Sequence, residues 1–160
     1  MIIREANDSD WPHIWQILHR IIEQGDTFSC APGTSEEEAR SLWMNPTARV
    51  FVVDVDNQIV GCYYIKPVQP GLGSHIANAG YMVHPNCRGK GIGRALGQHS
   101  IQTARELGYC AMQFNFVIST NSSAVCLWQS LGFSIIGIIP EAYNHIELGY
   151  VDAYIMHRSL

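Results

Sequence analysis

"VHPNCRGKGIGRALGQHSIQTARELGY", residues 83–109, interleaves three glycines with three cations just ahead of a long helical pattern. Gly89, Gly91 and Gly93 stand beside Arg88, Lys90 and Arg94. The first N–H groups of a helix have no intrahelical acceptor and point outward. The helix dipole adds partial positive charge at that end, and glycine lets a bulky anion approach the main chain. The segment therefore reads as an anion cradle suited to a pyrophosphate. Two nucleotide motifs are excluded. A Walker A loop needs G-x-x-x-x-G-K-[S/T], a spacing this segment lacks. The dinucleotide fingerprint needs glycines two and then three apart, and that third place falls on Leu96 or Arg94.

Outward from the cradle, the 160-residue chain reads as one α/β domain spanning residues 1–160. Its net charge of −4 argues against a general nucleic-acid binder, so the basic feature is local. No apolar run approaches the roughly 20 residues that span a bilayer. The start, "MIIREANDSD", lacks the pattern of a signal peptide. The five cysteines are odd in number and form no C-x-x-C pair, so no metal site is expected. They read as free thiols, mostly in the core, of a cytoplasmic protein.

Hydrophobic periodicity predicts the elements around it. "MIIREAN" reads as a strand, and "DSDWPHIWQILHRII" as a helix that Asp8 or Asp10 caps, with Pro12 in its first turn. "TSEEEARSLWM" is a second helix, with a capping box between Ser35 and Glu38. "ARVFVVDVDNQIVGCYYIKPV" is a hairpin turning at Asp56–Asn57, and "HIANAGYMV" is a further strand. The helix after the cradle shows one face at Ile92, Leu96, Thr103 and Leu107, and stops at Gly108. Then come the strand "AMQFNFVIS", a helix between Asn121 and Gly132, and a closing antiparallel pair. The sum is a mixed sheet with helices on its faces.

"VHPNCRGKGIGRAL" resembles the acyl-CoA signature [Q/R]-x-x-G-x-[G/A] of the GCN5-related N-acetyltransferases, with Arg88, Gly91 and Gly93 in its fixed places. "NSSAVCLWQSLGF" is similar to the superfamily's second signature at Asn121, Ala124, Leu127, Gly132 and Phe133. The resemblance implies that superfamily's fold, a mostly antiparallel sheet of about seven strands with about four helices. It also implies acetyl-CoA as co-substrate. The pyrophosphate would lie on the amides and cations of residues 88–94, Ile92 included. The pantetheine arm would lie along Tyr81, Met82 and Val83, with Asn121 touching it. Homodimers are common in such a family.

The same resemblance implies direct acyl transfer to an amine, with a β-strand N–H near Met82 or Val83 holding the oxyanion. Two departures stand out. The strand that often carries a glutamate base has no carboxylate, and His75 at its start is the nearest replacement. The tyrosine that usually protonates the leaving thiolate is Trp128, whose indole donates a hydrogen bond but is no general acid. A thiol pKa of about 8.5 leaves the thiolate tolerable as a leaving group. Tyr81, Tyr143 and Tyr150 are spare acids. Asn78 and Asn115 lie mid-strand among apolar neighbours, where a buried amide needs a partner. "NAGYMV" and "FNFVISTNSSAVCLWQSLGF" resemble the branch that acetylates L-azetidine-2-carboxylate, which implies that both asparagines serve the substrate. "GDTFSCAPGTSEEEA" is similar to the substrate-closing loop of phosphinothricin-type enzymes, which implies a role for Phe28 over the acceptor.

The leading reading is a small-molecule N-acetyltransferase acting on an amino-acid-like amine, with Asn78, Asn115 and Trp128 in its chemistry. A protein or peptide N-acetyltransferase and an acyl-CoA sensor with little turnover are the alternatives. "EAYNHIELGYVDAY", 141–154, shapes either a substrate pocket or a subunit contact.

Overall fold

The computed structural model describes all 160 residues. The elements are β1 (Ile2–Glu5), α1 (Trp11–Gln24), α2 (Glu36–Trp43), β2 (Arg49–Val55), β3 (Gln58–Pro67) and β4 (Ile76–Val83). Then follow α3 (Ile92–Glu106), β5 (Ala111–Ile118), α4 (Ser122–Ser130), β6 (Ser134–His145) and β7 (Gly149–Ser159). Seven strands form one sheet in the order β1-β2-β3-β4-β5-β7-β6. Every neighbouring pair is antiparallel except β4 with β5. The predicted mixed, mostly antiparallel sheet with four helices is the fold observed. No helix is long and apolar enough to cross a membrane.

Local chemistry accounts for most boundaries. Asp56 and Asn57 both take positive φ, 53° and 63°, as a two-residue hairpin turn requires. Ser35 and Glu38 form the reciprocal capping box at α2. The start of α1 differs from the expectation. Asp10 holds the N-cap position of α1 but makes no side-chain cap bond, and Asn7 caps the 3-10 turn at Asp8–Asp10 that leads into the helix, its side chain accepting from the Ser9 N–H. Asp10 is drawn elsewhere. Its carboxylate takes two 2.8 Å bonds from the Arg4 guanidinium and one from the Asn7 N–H.

Helices cover the sheet on both faces, giving two apolar clusters. One joins α1 and α2 to Val50, Val52, Cys62 and Met82. The other joins α3 and α4 to Phe51, Val53, Tyr63, Ile65, Ala77, Ala79 and Met112. Alternate residues of β2, β3 and β4 thus enter opposite cores, which is why these strands read as nearly continuous apolar runs. Two expectations need correction. Leu107 lies past the end of α3 and is 40% exposed, off the packed face. Only Cys62 is buried; Cys110, just before β5, and Cys126, on α4, are exposed. All five thiols are free.

Candidate active site

The site begins where the sheet comes apart. β4 and β5 pair at Ile76–Ala111 and Ala77–Met112, and the ladder stops there. Beyond it, β4 main-chain groups on the β5 side have no strand to bond. Asn78 closes the last rung with its side chain, its Nδ2 donating to the Gln113 carbonyl at 2.9 Å. On its far side β5 bulges: Phe114 pairs with Met156 and Val117 with Tyr154, so Asn115 and Phe116 together oppose one residue of β7. A cleft of about 740 Å³ fills the gap and opens on both faces of the sheet.

At its α3–α4 end the cleft is lined by Arg88, Gly89, Gly91, Gly93, Arg94 and Asn121. Gly91 caps α3 with φ 81°, a left-handed value that a side chain disfavours, and a Cβ there would meet nothing within 4 Å. The space beside the backbone at Gly89 and Gly91 is therefore open. Arg94 donates to Ser130 Oγ at 3.0 Å. Asn121 caps α4, its side chain accepting from the Ala124 N–H. Tyr81, Met82 and Val83 line the middle of the cleft. Lys90 and Ile92 lie outside the lining: Lys90 is exposed, and Ile92 turns its side chain into the core.

Trp128 meets the cleft from α4 with 7% of its surface exposed, in an aromatic cluster with Tyr81 at 4.6 Å and Phe114 at 4.8 Å. Three candidate acids or bases fall away. His75 is exposed ahead of β4 and outside the lining. The Tyr81 hydroxyl points from the cleft toward Ser100 Oγ, 2.7 Å away, and burial pushes its phenol well above the usual range. Tyr150 is 68% exposed on the β6–β7 hairpin.

The other end of the cleft lies on the α1–α2 face. Phe28 lines it from the α1–α2 loop, packed on Trp43 with ring centroids 5.6 Å apart. Thr27, Ser29, Asn78, Asn115 and Phe116 complete the wall. Asn115 Oδ1 accepts from Gln113 Nε2 at 2.8 Å. The segment 141–154 belongs to the β6–β7 hairpin; none of its residues lines the cleft, but it ties to the loop that carries Phe28. Tyr143 donates to the Phe28 carbonyl at 3.1 Å, and Ile146 packs on Gly25 at the end of α1. No Asp or Glu lines the cleft; Arg88 and Arg94 are its charged residues.

The acetyltransferase (GNAT) family model matches residues 3–133. The chain belongs to that family. It is 38% identical over 130 residues to the N-acetyltransferase aca1 of Schizosaccharomyces pombe, covering 81% of this chain and 60% of that protein. The chain spans less than two thirds of the length of the curated relatives it matches. A GCN5-related N-acetyltransferase from Kribbella flavida superposes with a TM-score of 0.94 at 45% identity, covering 99% and 97% of the two chains. A phosphinothricin acetyltransferase from Sinorhizobium meliloti, in complex with AcCoA, shares the fold with a TM-score of 0.84 at 23% identity, covering 99% and 88%.

Among the cleft residues of this GNAT chain that the sequence did not single out is Tyr64 of β3. Burial, with a contribution from Cys30, pushes its phenol above the usual range and keeps it a hydrogen-bond donor at neutral pH. The signal was available: a tyrosine in a strand pairing with β4 opposite a lone glycine, Gly80.

Proposed function

We propose that the chain is an acetyl-CoA-dependent N-acetyltransferase acting on the amine of a small amino-acid-like acceptor. The observation that carries this reading is the cleft through the split sheet, with arginines and bare glycine amides at one mouth and an aromatic, uncharged wall at the other. The residues fit the CoA ester. Left-handed glycines leave room for a pyrophosphate at the α3 start. The β4 edge beyond Ala77 offers unpaired main-chain groups to an extended amide-bearing arm.

Acetyl-CoA supplies the activated acyl group. The new amide bond forms as the C–S bond breaks, and the proton lost by the amine balances the one the thiolate takes up. The chain's residues orient and desolvate. A β4 N–H near Met82 or Val83 stabilises the developing oxyanion. Asn78 and Asn115 hold the acceptor by neutral hydrogen bonds, and Phe28 covers it. Trp128 shields the sulfur from water and offers an N–H donor. With no carboxylate in the lining, the acceptor amine gives up its proton to solvent.

The test is acetyl-CoA turnover against pooled free amino acids, proline analogues, polyamines and short peptides, read by mass spectrometry. An acetylated free amino acid is the expected product. Acetylation of peptides alone replaces this reading with protein acetylation. No product from protein that binds CoA replaces it with a sensor.

A further inference from the structure

We propose that Lys66 is the contact for a carboxylate on the acceptor, so that the site selects amines bearing an acid group close by. The proposal rests on the amino-acid reading above and names the residue that would enforce it.

Lys66 lies on β3 directly across from Asn78, two residues on from Tyr64, which lies across from Gly80. Alternation along paired strands puts Tyr64, Lys66, Asn78 and Gly80 on one face. Tyr64 packs against the α1–α2 cluster, so this is the acceptor face. Asn78 and Tyr64 both line the cleft, and the Lys66 Nζ stands 5.3 Å from the centre of the Tyr64 ring. Lys66 itself lies just outside the cleft lining, its ammonium over the Tyr64 ring and its backbone paired across from the asparagine that closes the β4–β5 gap.

The chain gives this cation no anion. Its three ion pairs are Arg4–Asp10, Arg40–Asp8 and Arg49–Glu5. The cleft lining holds neither Asp nor Glu, and its two arginines stand at the opposite mouth. A half-buried lysine whose ammonium, on a flexible four-carbon stem, lies over an aromatic ring has reach for an arriving anion. An acceptor carboxylate between Lys66 and the Asn78 amide would leave its neighbouring amine toward the gap between the strands. There a thioester in the gap would lie against the β4 main chain.

The experiment compares an amino acid with its own carboxamide, which keeps the amine and shape but loses the anion. For the wild type, kcat/KM is expected to favour the acid. In Lys66→Met, kcat/KM for the acid should fall about tenfold, mostly through KM. The carboxamide should change by less than about twofold, and Lys66→Arg should recover part of the loss. An unchanged KM for acetyl-CoA checks that the fold and the CoA side are intact. Equal losses on acid and carboxamide, or no loss on either, overturn the role of Lys66 while leaving the amino-acid reading in place. A wild type that acetylates no free amino acid overturns that reading, and this proposal with it.

Discussion

Gly80 faces Tyr64 across the β3–β4 pair so closely that a Cβ on Gly80 would stand 2.5 Å from Tyr64 Cε1. The aromatic ring occupies the space above the glycine. Trp43 meets the same ring edge-on at 5.0 Å, which fixes its tilt. Gly80→Ala therefore has to push Tyr64 off its seat. Overpacking of this kind costs about 1–3 kcal/mol. The expected outcome is a lower melting temperature with an acceptor KM raised about tenfold, while the KM for acetyl-CoA holds. Steady-state kinetics in both substrates separate the two.

Arg88 stands at the opposite mouth. Its guanidinium is 3.5 Å from Gln24 Oε1, a long contact that leaves most of its donors free. Arg88→Ala should weaken CoA binding about tenfold at low ionic strength, and less in 0.5 M salt, where screening shortens the reach of exposed charge to about 5 Å. Calorimetric titration with CoA at two salt concentrations measures it. An unchanged affinity would remove the cradle from the account.

The loop that carries Phe28 is tied to the β6–β7 hairpin by the bond from the Tyr143 hydroxyl to the Phe28 carbonyl. Tyr143→Phe deletes the donor and keeps the ring against Phe116. The loss should be about 1 kcal/mol of stability. Amide exchange in the α1–α2 loop, residues 25–35, should quicken, and the acceptor KM should rise more than the KM for acetyl-CoA.

Acid should loosen the other end of the sheet. Hydrogen bonds from Arg4 hold the Asp10 carboxyl below its ordinary range against the opposing cost of burial. A depressed carboxyl contributes stability at neutral pH that is lost as pH falls below the unfolded value of about 3.9 and through the lower folded one. Asp10→Asn should cost about 2 kcal/mol at pH 7 and flatten the stability curve in that acid range. Denaturant melts at pH 7 and pH 3 give the two differences.

The fold was legible because its elements carry strong local signals. The Asp56–Asn57 turn, the Ser35–Glu38 box and the glycine-rich entry to α3 each set a boundary within a few residues. Asp10 stands at the cap position of α1 as one of the two expected residues, but the tertiary bond to Arg4 takes the carboxylate that would have capped the helix. Leu107 fits the helical period but falls after α3 has ended. Sequence alone placed Asn78, Asn115 and Trp128 on elements that do meet in the cleft. It missed Tyr64 and Lys66, whose places across from Gly80 and Asn78 come from strand register rather than from any motif. It left the 141–154 hairpin undecided because the contact of Tyr143 with Phe28 spans 115 positions of chain.

The short parallel ladder between β4 and β5 has a mechanical consequence. Two residue pairs, the Cys110 N–H bond to the His75 carbonyl just before them and the Asn78 side chain are the rungs along this seam, with β1 to β4 on one side and β5 to β7 on the other. A molecule lying in the gap becomes a missing rung, shared by both halves. At one hundred times its dissociation constant such a ligand adds about 2.7 kcal/mol to the folded state. The unliganded protein should open first along this line, as a book opens at its spine, and binding should close the cover before any chemistry takes place.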